Sequence, residues 1–93
     1  MLRARGDPAR AARVLQDSLR LHWELGDRWR SASVLEALGG VIRDPRLLGA
    51  ASAVRTRLGA PVPPCERAQY DADVAAVGVV ECEVDEAVRI ALD

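Results

Sequence analysis

The residues able to do chemistry are few in this chain. They are one histidine, His22, two cysteines, Cys65 and Cys82, and an acidic run at Glu81, Glu83, Asp85 and Glu86. A histidine base needs a nucleophile or an acid within hydrogen-bond reach. No such partner can be assigned to His22, which falls on the apolar side of a helix beside Trp23 and reads as a packed structural residue. Cys65 follows two prolines near a helix start, where a thiolate is favoured, yet its surroundings read as those of an inert thiol. The two cysteines stand seventeen residues apart, form no CxxC pair and share one histidine. That is too few soft ligands for a structural zinc site. A disulfide between them stays open, although nothing in the sequence points to secretion. The acidic run lacks the spacing of a calcium loop and reads as a solvated helix start. No GxxxxGK[ST] phosphate loop occurs. Gly39, Gly40, Gly49, Ala50 and Ala51 follow no strand, so they read as points of close helix approach. The expectation is therefore no catalytic residue, no metal site and no cofactor.

The elements that would position these groups can be placed from start and stop signals. Asp7-Pro8 opens a first helix, because Asp accepts orphan amide hydrogen bonds and Pro loses nothing at the first helical position. It runs to about Leu25 and stops at Gly26, a residue suited to the left-handed conformation that ends helices. Ala11, Leu15, Leu19, His22 and Trp23 form its apolar face, widened by Ala12, Leu21 and Leu25. Asp27 caps a second helix, from about Arg28 to Val41, with Val34, Leu35, Leu38, Val41 and Ile42 inward. The tight Gly26-Asp27 joint predicts an antiparallel hairpin. Trp23 and Trp29 flank that joint, and clamping the hairpin is their expected role, with an exposed aromatic platform as the alternative. A third helix opens at Asp44-Pro45, carries Leu47, Leu48, Ala51, Val54 and Leu58, and ends at Gly59. Three prolines in Ala60–Pro64 enforce an extended joint. A fourth helix follows from about Pro64 to Val77 over Ala68, Tyr70, Val74 and Val77. After a connector at residues 79–83, Asp85 to Leu92 forms a short fifth helix with Val84, Ala87, Val88, Ala91 and Leu92 inward.

Composition agrees with an all-α chain. Sixteen of the 93 residues are Ala, none is Phe, and Trp23, Trp29 and Tyr70 are the only aromatics, which favours closely packed helices. One domain fits the length. All thirteen basic residues are Arg, which together with the absence of Asn reads as the coding bias of a GC-rich genome. The net charge of −1 excludes a strongly basic nucleic-acid binder. The charge is nevertheless divided: residues 1–57 carry eleven Arg against six acids, whereas residues 58–93 carry two Arg against eight acids. Solvated helix faces and attraction between the two halves account for this; a basic surface for an acidic partner is the sharper reading. The N-terminus lacks the apolar segment of a signal peptide, and no stretch approaches the ~20 apolar residues of a membrane span. The expected location is cytoplasmic, with no membrane contact.

Two spacings repeat. Asp7-Pro8 recurs as Asp44-Pro45 thirty-seven residues on, and Leu25-Gly26 recurs as Leu58-Gly59 thirty-three on. Such periods in helix–turn–helix units mark tetratricopeptide-type arrays, and the third helix comes out about one turn shorter than the first. The expected organisation is one module of antiparallel helical hairpins, about five helices in all. Residues 1–59 form the repeat part, 60–64 the proline-rich linker and 65–93 a C-terminal helical cap.

The stretch Arg46-Leu-Leu-Gly-Ala-Ala51, with Arg55, Leu58-Gly-Ala-Pro61 and Pro63-Pro64, resembles the C-terminal tetratricopeptide-like region of large bacterial, actinobacterial-type, ATP-binding transcriptional regulators of the LuxR type. It is similar also to related predicted ATPases. Leu25-Gly-Asp27 before Trp29, Ala32, Leu35, Leu38, Tyr70, Glu86-Ala-Val88 and Ala91-Leu92 extend the resemblance over nearly the whole chain. Against that pattern the route from Leu38 to Leu47 is short, which implies a cramped turn at Arg43-Asp44. A second shortening falls near Val79–Glu83, and Glu83 stands where a capping Ser or Thr is common. In such regulators other domains supply the ATPase and the DNA-binding helix-turn-helix. The resemblance thus implies a non-catalytic, signal-receiving interaction module, with a protein partner or other domains of a regulator as its ligand and no direct contact with nucleic acid.

Arg13, Arg20, Trp29 and Arg57 are the expected partner-binding residues, chosen as long polar or aromatic side chains on the basic half; self-association stays open. Two alternatives stand beside this reading. One is a small-ligand sensor with a pocket between helices. The other is a remnant open reading frame without independent function, suggested by the shortened hairpin and the missing ATPase and DNA-binding parts.

Overall fold

A computed structural model describes residues 7–93. The leaderless reading of the N-terminus and the charges of Arg3 and Arg5 fall largely on residues 1–6, outside the described ones. The described chain is all-helical, with five helices: α1 (Pro8–Glu24), α2 (Arg28–Ile42), α3 (Pro45–Leu58), α4 (Pro64–Val77) and α5 (Val84–Leu92). No described helix is long and apolar enough to cross a membrane.

The first three helices are set by repeated local chemistry. Asp7, Asp27 and Asp44 each cap a helix, their carboxylates accepting from the backbone N–H of Arg10 at 2.9 Å, Arg30 at 3.0 Å and Arg46 at 3.0 Å. Each bond satisfies one of the donors a helix start leaves unpaired. Gly26 and Gly59, past the ends of α1 and α3, take positive φ. The N–H of the next residue then reaches back to close the last turn, Asp27 to His22 and Ala60 to Arg55, the pattern of a Schellman cap. The shortened α2–α3 joint uses the same device without a glycine. Arg43 adopts φ 57°, ψ 49°, and the Asp44 N–H bonds the Gly39 carbonyl at 3.0 Å. The cramped turn is thus a copy of Gly26-Asp27, with the cost of a left-handed non-glycine residue. The predicted length difference also holds, α1 having 17 residues and α3 14.

Leu15 and Leu19 of α1, Ala32, Leu35 and Leu38 of α2, Leu47, Ala50, Ala51 and Val54 of α3, and Ala87, Val88 and Ala91 of α5 form one apolar core. In α2 only one flank is open, since Ser31, Ala32 and every residue from Leu35 to Gly40 are buried. Small residues let the helices approach. A Cβ on Gly39 would stand 3.0 Å from Leu48 Cγ, and one on Gly49 would collide with the Val80 carbonyl oxygen. The segment after α4 crosses α3 there, tied by the Val80 N–H to the Pro45 carbonyl at 3.0 Å, and so delivers α5 into the core. Gln16 fastens α5 to α1 by donating to the Ala91 carbonyl at 2.8 Å.

Several expected core positions lie elsewhere. Leu21, Leu25, Ile42 and Leu58 are exposed, because each sits at or near a helix end where no neighbouring helix continues. Ala68 is exposed too, and Tyr70, Val74 and Val77 are only half-buried. Asp73 is the one buried residue of α4, so this helix lies on the bundle through polar groups. Glu83 and Pro63 precede α5 and α4 without a side-chain cap.

Candidate functional site

The most developed polar arrangement lies where α4 covers α2 and α3. The Arg55 guanidinium makes a two-pronged contact with Glu36, Nε to Oε2 at 2.6 Å and one terminal nitrogen to Oε1 at 2.9 Å. Both side chains are almost fully buried. The same nitrogen donates to Ser33 Oγ at 2.8 Å, and the other reaches the Ala60 carbonyl at 3.3 Å. One arginine therefore joins α2, α3 and the start of the proline linker. Burial pushes the Glu36 carboxyl upward, more than its Arg55 hydrogen bond and charge pull it down, and the charge of Glu66 on α4 adds to the rise. The hydrogen bond to Glu36 holds Arg55 firmly protonated. Glu66, Gln69, Tyr70 and Asp73 of α4 line a small cavity with Ser33, Glu36 and Ala37 of α2, and Gln69 donates to Asp73 at 3.0 Å.

Beside it opens a cleft of about 440 Å3 between the end of α3, the linker and α4. Arg55, Ser52 and Thr56 line one side and Arg67 and Tyr70 the other. Arg67 is drawn towards Asp71 at 3.2 Å and lies 5.7 Å from the Tyr70 ring centroid. The mouth is open and the charges offset one another. The cleft can hold a small polar molecule, but it assembles no nucleophile with a base.

The second arrangement is at one end of the bundle. Because α1 ends where α2 begins and α2 pairs with a reversed α3, Leu25, Trp29 and Leu58 are brought to the same end. Leu25 is 71% exposed, Trp29 43%, and Leu21 one turn earlier is exposed as well. Arg20, Arg28, Arg30 and Arg57 lie on the same helix ends and are all exposed, as is Glu24; Arg20 and Arg30 pair with Asp17 and Asp27. Three of the expected contact residues, Arg20, Trp29 and Arg57, are thus gathered at this end. Arg13 is not: it lies exposed on α1, ~18 Å along the axis from Leu25 at the helical rise.

The tryptophan pair divides its roles. Trp23 is half-buried against the core, and the Arg28 guanidinium sits 3.6 Å from its ring centroid, a cation–π contact. The clamp on the hairpin is Trp23 with Arg28, and the expectation that Trp29 shares it is corrected by its exposure.

The chemistry-bearing residues are dispersed. His22 is half-buried, and its Nδ1 is buried without a hydrogen-bond partner among the described residues. Both cysteines are free, Cys65 exposed near the start of α4. Burial, then the charge of Glu86, pushes the Cys82 thiol up and away from thiolate chemistry. Among the described residues, no three His, Cys, Asp or Glu side chains gather where they could hold a metal ion.

Sequence reasoning missed the Glu36–Arg55 pair, although a signal was present. Glu36 interrupts Val34-Leu35-Glu-Ala-Leu38, where a helix apolar on nearly every side leaves no solvated place for a carboxylate. No family model, curated protein or solved structure matches this chain.

Proposed function

We propose that this chain is a non-catalytic interaction module, a signal-receiving helical-repeat unit akin to those of bacterial transcriptional regulators, that binds a protein partner at the α1–α2 turn. The observation that carries this reading is that Leu21, Leu25, Trp29 and Leu58 are all exposed on helix ends that the hairpin topology brings to one end of the bundle, with Arg20, Arg28, Arg30 and Arg57 exposed on the same helix ends. Aromatic and arginine side chains around an apolar centre are the make-up of binding hot spots. The repeated caps and αL turns of α1–α3 fit a tetratricopeptide-like unit. A titration with an acidic amphipathic helical peptide, followed by tryptophan fluorescence, tests it. Binding should weaken when Trp29→Ala or Leu25→Asp is introduced and fade in high salt; binding that ignores both changes would refute the assignment.

The cleft over Arg55 favours a second reading, small-ligand sensing, since its volume falls within the range of small-molecule sites. Under that reading, a polar ligand raises the melting temperature of the wild type and not of Tyr70→Ala.

A further inference from the structure

The two ends of the bundle differ. One is the arginine-rimmed apolar end just described. At the other, where α2 stops and α3 and α5 begin, Ile42, Val79 and Val80 are exposed, the two valines at 46% and 48%. Val80 is fixed there by its bond to Pro45, so the patch is held by backbone and not by a free loop. Glu81, Glu83, Asp85 and Glu86 follow it directly and are all exposed. Of the arginines nearby, Arg46 is closed onto Asp44 at 2.7 Å and Arg89 onto Glu86 at 3.1 Å, while Arg43 stands exposed beside Ile42. At the basic end, Asp17 and Asp27 are likewise taken up by Arg20 and Arg30, at 3.4 and 3.7 Å. Each end therefore presents an apolar centre, and the balance of charge differs in sign: Arg20, Arg28, Arg30 and Arg57 against Asp17, Glu24 and Asp27 at one, and Asp44, Glu81, Glu83, Asp85 and Glu86 against Arg43, Arg46 and Arg89 at the other.

We infer that the occupant of the basic end is the acidic end of a second copy, so that chains associate end to end. Leu25 and Trp29 of one copy cover Val79 and Val80 of the next, and the arginine rim meets Glu81 and Glu83. This rests on the reading that the basic end is a binding surface and names its partner. An isologous contact of two basic ends would set arginines against arginines. The two different ends instead make a head-to-tail contact, which closes into a ring or grows as a chain.

Sedimentation of the full chain from micromolar to millimolar concentration tests this. At low ionic strength the weight-average mass should climb above the 10.0 kDa of one chain, and high salt should reverse the climb. Leu25→Asp and Val80→Asp each change an exposed side chain, so circular dichroism should stay that of the wild type. Each variant alone should remain monomeric. Mixed in equal amounts they should form a dimer and nothing larger, because each supplies the end the other has lost. A wild-type chain that stays monomeric throughout overturns the inference. So does a Val80→Asp variant that still dimerises by itself. If the acidic peptide binds but the chain does not self-associate, the partner assignment fails while the basic binding end stands.

Discussion

The α1–α3 layer and α4 are joined to the same core by opposite means. Between α1, α2 and α3 the contact is leucine and alanine, with glycine where backbones come close. Burial of that kind is non-directional and worth about 25 cal/mol per Å2 of apolar surface. Against α4, by contrast, the contact is carboxylate, guanidinium, amide and phenol, and the buried residue is Asp73. Polar contacts are directional and their net gain is small, because each replaces a bond to water. The lesson is that the helices do not share one stability: α1–α3 with α5 form the cooperative body, and α4 is a cover that opens at lower cost.

The sharpest way to break this comparison is at the seam. Arg55→Ala leaves Glu36 buried and unpaired, and the expected cost is about 3–5 kcal/mol by chemical denaturation, whereas replacing the pair with Leu and Met should come close to neutral. Leu38→Ala in the core should cost about 2–5 kcal/mol. Val74→Ala on α4 should cost well under half as much, and comparable losses would erase the distinction. Gly49→Ala forces the crossing segment off α3 and should cost about 1–3 kcal/mol through overpacking. Arg43→Gly removes the left-handed strain, with an expected gain of about 1 kcal/mol in the same assay.

The smallest effect is in pH. Burial raises Glu36, so the folded state holds its proton at pH values where the unfolded chain has lost it. Stability from this group therefore falls as pH rises from the ordinary carboxylate range through the raised value. Asp44, lowered mainly by its hydrogen bond from Arg46, acts in the other sense and loses its contribution as pH falls through its folded value. Comparing melting temperatures of Glu36→Gln and Asp44→Asn with the wild type across acidic pH separates the two. Identical pH profiles would refute the assignment.

Much of this architecture was legible because its signals are local. Asp-Pro starts, Gly stops and leucine spacing depend on neighbours in sequence, and they located all five helices and most of the core. What was hidden depends on which helices meet. Leu21, Leu25 and Leu58 carry the right spacing for burial, but no neighbour extends far enough to cover them. Tyr70, Val74 and Val77 look like an apolar face, yet they are only half-buried and the one buried residue of α4 is Asp73, held by Gln69 at 3.0 Å. The basic end was legible in part. Arg20, Trp29 and Arg57 could be picked by type, while Arg13 is separated from them by a length of helix that composition does not measure.

The crossing at Gly49 carries one more consequence. Since α5 completes the core only after the chain has passed over α3, the last third of the molecule behaves as a ligand for the first two thirds. A cut within the exposed linker at Pro61 would leave two pieces that hold together and stay folded. A separately made fragment of residues 61–93 would restore the structure to residues 1–60.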